Sequence, residues 1–140
     1  MSTIVTRAGK GSPLTHVEVD ANFTNLNTDK VGYIVGEGGT VAQSTNKSTA
    51  VTLNKKCGQI TINGAALAAA TTVSFTLTNS TIAATDLLVL NHVSGGTAGS
   101  YLLNAQAAAG SASINVRNIT AGSLSEAIVI GFAVVKASIT

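Results

Sequence analysis

The sequence predicts a mainly β protein, with an antiparallel β-sandwich or jelly-roll-like body that follows an extended arm and one short α-helix. Two observations predict the body. Residues 72–78 alternate between apolar and hydroxyl side chains, and residues 127–135 form an apolar stretch with a period of two. A third observation predicts the helix, because Thr15 and Glu18 stand three residues apart, which is the spacing of a capping box.

The first 14 residues have the composition of an extended arm. Residues 2–6 are rich in the β-branched side chains that favour strands. Gly9, Gly11 and Pro13 then predict that the rest of the arm lacks regular structure.

The capping box predicts a helix from about His16 to about Asp29. Leu14 before the cap and Val19, Phe23 and Leu26 at spacings of four and three form a single narrow apolar seam. An isolated helix of this length is marginal in water, so it needs a partner. Two interpretations stay open: the helix packs on its own domain, or it is a short self-associating or docking helix.

The composition divides the chain into three parts. Four glycines between positions 32 and 39 indicate a flexible joint. We therefore expect residues 1–31 to form an arm and helix that anchor or trimerise the protein, residues 32–39 to form the joint, and residues 40–140 to form the β body.

The body contains seven to nine short strands separated by turn signals every 8–14 residues, a spacing typical of sandwiches and jelly rolls. Asn63-Gly64 after the alternating residues 59–62 predicts a β-hairpin. Leu87–Leu90 and residues 127–135 are apolar on both faces, which predicts burial on both faces. In a body of about 100 residues, contact with a sister chain is the simplest way to bury the second face of these strands. The predicted strands include residues 50–53, 59–62, 72–78, 87–90, 101–103, 113–117 and 127–135.

Charged side chains are scarce. They make up 10% of the 140 residues, against about 25% in ordinary soluble domains. Because monomers normally keep a charged surface, the shortage predicts that sister chains or a larger assembly cover much of the protein. A free monomer with a Ser, Thr and Asn surface is the alternative.

Residues 10–27, Lys-Gly-Ser-Pro-Leu-Thr-His-Val-Glu-Val-Asp-Ala-Asn-Phe-Thr-Asn-Leu-Asn, resemble the N-terminal segment of many bacteriophage fibre and appendage proteins. These proteins share the pattern G-S-P-L-T-x-x-E-[VL]-D-x-N-F-x-N-L. Residues 118–127, followed by an apolar strand, are similar to small phage fibre or head-decoration domains. The resemblance implies an attachment segment and a homotrimer, and it implies no catalytic residues.

No pattern in the sequence indicates an enzyme or a cofactor. His16, His92, Cys57 and Asp86 are the candidate metal ligands, but none of them pair at a metal-ligand spacing. The net charge is only +2 and the basic residues are scattered, which argues against binding to nucleic acid. No run reaches the roughly 18 apolar residues of a membrane span. Four Asn-x-Ser/Thr matches, at Asn22, Asn46, Asn79 and Asn118, are expected by chance in a chain rich in Asn and Thr.

We therefore expect a non-enzymatic virion protein, a short homotrimeric fibre or decoration protein on the outside of a phage particle, made in the host cytoplasm. Its expected partners are other virion proteins, either the major capsid protein or tail and adaptor proteins. Placement on the capsid head is favoured, because no long shaft or receptor-binding tip is present. A tail fibre, a tail-attached adaptor and a glycan-binding recognition module are the alternatives.

Overall fold

The computed structural model describes residues 4–28 and 36–137. The chain divides into two compact units, Met1–Glu37 and Gly38–Thr140. The boundary between them falls inside the predicted joint at residues 32–39, of which residues 32–35 lie outside the described residues.

The N-terminal unit contains two helices, α1 (Arg7–Lys10) and α2 (His16–Thr28). The start of α2 agrees with the capping-box prediction, while Asp29 lies outside the described residues. The single turn of α1 corrects the expectation of an arm without regular structure. Thr6 caps this turn by accepting a hydrogen bond from the Gly9 N–H, and Gly11 ends it in the left-handed conformation that glycine adopts without a steric penalty.

The second unit is a β-sandwich of two four-stranded sheets. Sheet A has the strand order β1-β3-β8-β5, and sheet B has the order β2-β4-β7-β6. The eight strands are β1 (Thr40–Ala42), β2 (Val51–Thr52), β3 (Cys57–Thr61), β4 (Thr72–Thr78), β5 (Leu87–Ser94), β6 (Tyr101–Ala108), β7 (Ser111–Asn118) and β8 (Val129–Val135).

Strand pairing is antiparallel in the centre of both sheets and parallel at one edge of each. The short strands β1 and β2 run parallel to β3 and β4, respectively, and the other four pairs are antiparallel. The body is therefore a sandwich with mixed edges, because a jelly roll would be antiparallel throughout.

The core lies between the two sheets and follows the predicted alternation. Phe75 and Leu77 are buried on β4, and Val73 is half-buried beside them. From β8, Ile130, Phe132 and Val134 point into the same core, which Ile128 extends just before the strand. Both sheets thus contribute a mainly apolar inner face, as expected for a sandwich.

The prediction of a β-hairpin at Asn63-Gly64 is wrong. Strand β3 belongs to sheet A and the next strand, β4, belongs to sheet B, so the segment between them crosses the sandwich. The crossing is held by Leu67, whose backbone exchanges two hydrogen bonds with Leu124 at 2.9 and 3.0 Å.

A second crossing, from β5 to β6, turns on Gly95 and Gly96, which have φ angles of 75° and 60°. There is no space for a side chain at either position. A Cβ atom on Gly95 would lie 2.5 Å from the carbonyl oxygen of Ala127, and one on Gly96 would lie 2.6 Å from Cγ2 of Ile128. The turn is therefore packed directly against the segment that leads into β8.

Two fully buried asparagines close the ends of sheet B. Asn118 at the end of β7 donates to the carbonyl oxygens of Leu67, Ala68 and Gly122 and accepts from the N–H and hydroxyl of Thr120. Asn79 after β4 accepts from Thr81 in the same way.

The amide oxygen of Asn46 likewise accepts from the N–H and hydroxyl of Ser48. The Asn-x-Ser/Thr matches at Asn46, Asn79 and Asn118 thus have a structural role in the fold. At these positions the third residue of the motif completes an Asx turn.

Candidate functional site

The N-terminal unit fixes its helix through a reciprocal cap. The Thr15 N–H donates to Oε2 of Glu18 at 2.8 Å, and the Glu18 N–H donates to Oγ1 of Thr15 at 3.3 Å. Nζ of Lys10 lies 2.5 Å from the same carboxylate. The hydrogen bond from Lys10, followed by those from Thr15, lowers the pKa of Glu18 to about 2. This carboxylate therefore stays ionised well into the acidic range.

A second contact ties the arm to α2. Asn22 accepts a hydrogen bond from the Val5 N–H and donates one to the Val5 carbonyl oxygen, both at 2.8 Å. The amide side chain thus satisfies both polar groups of one arm residue, as a neighbouring strand would. The N-terminal unit is consequently held by polar contacts as well as by its helix.

The predicted seam is presented to solvent. Val19, Phe23 and Leu26 are all exposed, with Phe23 at 68% of its full accessible area, while Leu14 is half-buried. Because the spacings of four and three place Val19, Phe23 and Leu26 on one side of α2, they form a narrow exposed apolar stripe. The stripe is free to bind a partner, and its role as an anchor or trimer contact stays a prediction.

Sheet A has an apolar outer face. We call this face the apolar face and define it by the outward residues of β1, β3, β5 and β8, all of which are described. None of them is charged, and Leu87, Val89, Val93 and Val135 are each exposed. A soluble protein rarely leaves such a contiguous patch uncovered unless the patch binds something. The outward residues are Thr40, Ala42, Cys57, Gln59, Thr61, Leu87, Val89, Asn91, Val93, Val129, Gly131, Ala133 and Val135.

A shallow depression of about 390 Å³ lies in the middle of the apolar face. Its floor is β8, where Gly131 and Ala133 present almost no side chain. Its walls are Val89 and Asn91 on one side and Cys57 and Gln59 on the other. The floor is low because the small residues stand between strands that carry larger ones, so the depression can accept a protruding apolar side chain.

Sheet B has a polar outer face. Its outward residues are mainly Ser, Thr, Asn and Gln, and Leu102 is its one large apolar side chain among the described strands. A ladder crosses three strands: Ser74 donates to Asn115 at 2.5 Å, and Asn115 donates to Asn104 at 2.6 Å. This face satisfies its own polar groups and has the character of a solvated surface.

The two sheets are joined at one end by a polar cluster. The Glu126 carboxylate accepts hydrogen bonds from the Thr97 N–H and hydroxyl and from the Tyr101 hydroxyl at 2.9 Å. Buried Lys47 donates to the carbonyl oxygens of Asn63 and Glu126. The sequence analysis missed this cluster, because its members come from four separate segments and form no local motif.

The pKa values in this cluster follow from burial and from hydrogen bonding. The hydrogen bonds from Thr97 lower the pKa of Glu126, with a smaller contribution from Tyr101. Burial, together with the Glu126 carboxylate, raises the pKa of Tyr101 to about 12, and burial lowers the pKa of Lys47. Every one of these groups has its protein partners, so the arrangement fastens the two sheets together.

Three of the candidate metal ligands lie on different elements. His16 begins α2, Cys57 begins β3, and His92 is held near the end of β5, where Nε2 lies 2.7 Å from the Gly95 carbonyl oxygen. Within residues 4–28 and 36–137, no three His, Cys, Asp or Glu side chains come together in a way that could hold a metal ion.

Asp86 forms an ion pair with Lys136 at 2.6 Å and accepts from the Ala83 N–H. Burial alone would raise the pKa of Asp86, but the hydrogen bonds from Ala83 and Lys136 outweigh it and lower the pKa. Asp86 therefore stabilises the entry to β5.

In the described part of the chain, no helix is long and apolar enough to cross a membrane.

Comparisons with protein-family models, with curated proteins and with solved structures each returned no match to this chain. The interaction surfaces described above are therefore interpreted from their own chemistry.

Proposed function

We propose that the chain is a non-enzymatic structural protein of a bacteriophage particle, a short homotrimeric fibre or decoration protein. Residues 1–31 attach it to the particle, and the β-sandwich is displayed outside. Placement on the capsid head is favoured over the tail.

The observation that carries the proposal is the exposed stripe of Val19, Phe23 and Leu26 on a helix that is otherwise firmly held. The reciprocal cap and the Asn22–Val5 pair fix α2 in place, so the stripe is preorganised for a partner. A preorganised apolar stripe loses less conformational entropy on binding than a disordered peptide does. The resemblance of residues 10–27 to phage appendage segments supports the same interpretation.

The composition of the body supports the proposal independently. A chain with 10% charged residues and an uncharged apolar face has the surface of a subunit rather than that of a free monomer. The polar outer face of sheet B supplies the solvated side that a displayed protein needs.

The experiment that tests the proposal compares two exposed apolar residues on the same helix. Phe23→Ala removes the largest side chain of the stripe, and Val17→Ala removes one that is 77% exposed but lies off the stripe. We expect the wild type and Val17→Ala to have three times the chain mass by light scattering and to be incorporated into particles. We expect Phe23→Ala to lose both properties. Normal assembly and incorporation of Phe23→Ala would refute the role of the stripe.

The position on the particle is tested by immunogold labelling of wild-type virions. Labels spread over the capsid are expected. Labels confined to the tail would identify a tail fibre or adaptor and refute the head placement. Binding to a glycan array by a protein that is not found on particles would instead identify a recognition module.

A further inference from the structure

We propose that the apolar faces of neighbouring copies pack against one another and line the axis of the trimer. This inference rests on the proposed self-association of the chain and deepens it, since it assigns the surface through which the bodies meet. Leu87 and Val89 are the protruding side chains, and the part of the depression over Ala133, between Val89 and Cys57, receives an apolar side chain from the next copy.

The absence of charge on this face favours a second copy as its occupant. Converging identical faces bring each charge close to its own symmetry copies, and like charges that meet in an interface are costly. The apolar face, which carries none, meets itself without repulsion. The outer face of sheet B carries Arg117, which would be brought together with its own copies if that face lined the axis.

The size of the face explains why the N-terminal unit is also needed. Four strands at about 4.8 Å and seven residues at about 3.3 Å per residue cover about 20 by 23 Å, or about 450 Å². A stable interface buries about 800 Å² on each partner, so the face alone is too small. Contacts made by the helix stripe would supply the remaining area and raise the effective concentration of the bodies for one another.

Cys57 is a built-in reporter for this packing. It is the single cysteine of the chain and lines the depression, where it is half-buried in one copy. Since the alkylation rate of a thiol depends on its accessibility, covering the apolar face must slow the reaction of Cys57 with iodoacetamide.

The test measures iodoacetamide labelling of Cys57 in the full chain and in two matched variants. Val89→Glu places a charge on the apolar face, and Leu102→Glu places the same charge on the outer face of sheet B. The two replaced side chains are 58% and 56% exposed, respectively. A carboxylate near Cys57 disfavours the thiolate, so only uncovering of the face can speed its labelling. We expect labelling of the assembled wild type and of Leu102→Glu to be slower by about tenfold than that of Val89→Glu.

Equal labelling of the wild type and Val89→Glu, or an equally large effect of Leu102→Glu, would overturn the proposal. Circular dichroism checks that both variants are folded. If Val89→Glu fails to fold, Asn91→Glu takes its place, because Asn91 is already polar, is exposed and lines the same depression.

The outcome separates this inference from the proposed function. A trimer whose Cys57 reacts as fast as it does in Val89→Glu would refute the axial face alone. Protection of Cys57 in a protein that is missing from particles would refute the virion role alone. A wild type that is monomeric at all concentrations would refute both.

Discussion

The two sheets of the sandwich share one core and differ on their outer faces. Inside, sheet A contributes Ile130 and sheet B contributes Ile114, both fully buried. Outside, β5 and β8 of sheet A present mainly Leu, Val, Ala and Gly, whereas sheet B presents a hydrogen-bonded ladder of Ser and Asn. The inner faces are determined by the need to form a core, so the outer faces carry the information about partners.

The largest expected effects are on the inner faces and should be equal in the two sheets. Ile130→Ala and Ile114→Ala should each lower the free energy of unfolding by about 2–5 kcal/mol, because each leaves a cavity in a close-packed core. Urea denaturation at one fixed protein concentration measures both. A loss below about 1 kcal/mol for either variant would contradict the equivalence of the inner faces.

A smaller effect should distinguish the outer faces. Asn115→Ala removes the middle of the polar ladder and should cost about 0.5–1.5 kcal/mol, since exposed hydrogen bonds contribute little net stability. In the assembly-deficient Phe23→Ala background, Val89→Ala should change the unfolding free energy by less than about 0.5 kcal/mol. Urea denaturation of Phe23→Ala, of Phe23→Ala with Asn115→Ala and of Phe23→Ala with Val89→Ala tests this contrast. A larger loss of unfolding free energy for Val89→Ala would show that the apolar face stabilises the single chain.

The last effect appears only at high pH and concerns the polar cluster that joins the sheets. The pKa of Tyr101 is raised from its usual 10 to about 12, so the folded state retains a proton that the unfolded state releases. The resulting stabilisation is complete below pH 10 and is lost as the pH rises from 10 towards 12. The melting temperature should therefore fall more steeply between pH 9 and pH 12 for the wild type than for Tyr101→Phe. Melting temperatures that fall in parallel for the two proteins would contradict the raised pKa of Tyr101.

The periodic parts of the fold could be predicted from the sequence. The alternation of Thr72–Thr78 places Phe75 and Leu77 in the core, because the two faces of a strand differ at every step. The capping box places the start of α2 at His16 for an equally local reason.

The nonlocal parts could not be predicted. Strand β1 is three residues long, too short for periodicity, whereas β2 lies within the strand predicted at residues 50–53. The parallel pairing of β1 and β2 joins distant segments, and no local pattern indicates it. Asn63-Gly64 carries the local signal of a hairpin. In the structure, however, the Ile62 N–H donates to the Ile128 carbonyl oxygen at 2.8 Å, and the chain then crosses to the other sheet. Tertiary pairing thus overrides the turn signal.

The candidate surfaces show the same division. The positions of Val19, Phe23 and Leu26 on one side of α2 follow from helical spacing, while the Asn22–Val5 pair that fixes the helix joins residues 17 apart. The apolar run at Leu87–Leu90 predicted a second cover for sheet A. The depression could not be predicted, because it depends on Gly131 lying between Gln59 and Asn91, and this register exists only in the folded sheet.

The glycine turn at Gly95 and Gly96 has a consequence for sequence variation and for engineering. Any side chain there meets the backbone or side chains of the segment before β8, so a saturation mutagenesis library should recover almost no substitutions at these two positions. Gly122 has no atom within 4 Å of a potential Cβ, so the same library should recover many substitutions there, while its carbonyl oxygen still accepts the hydrogen bond from Asn118. One loop thus limits which sequences can evolve on this scaffold, and the other tolerates a change of side chain.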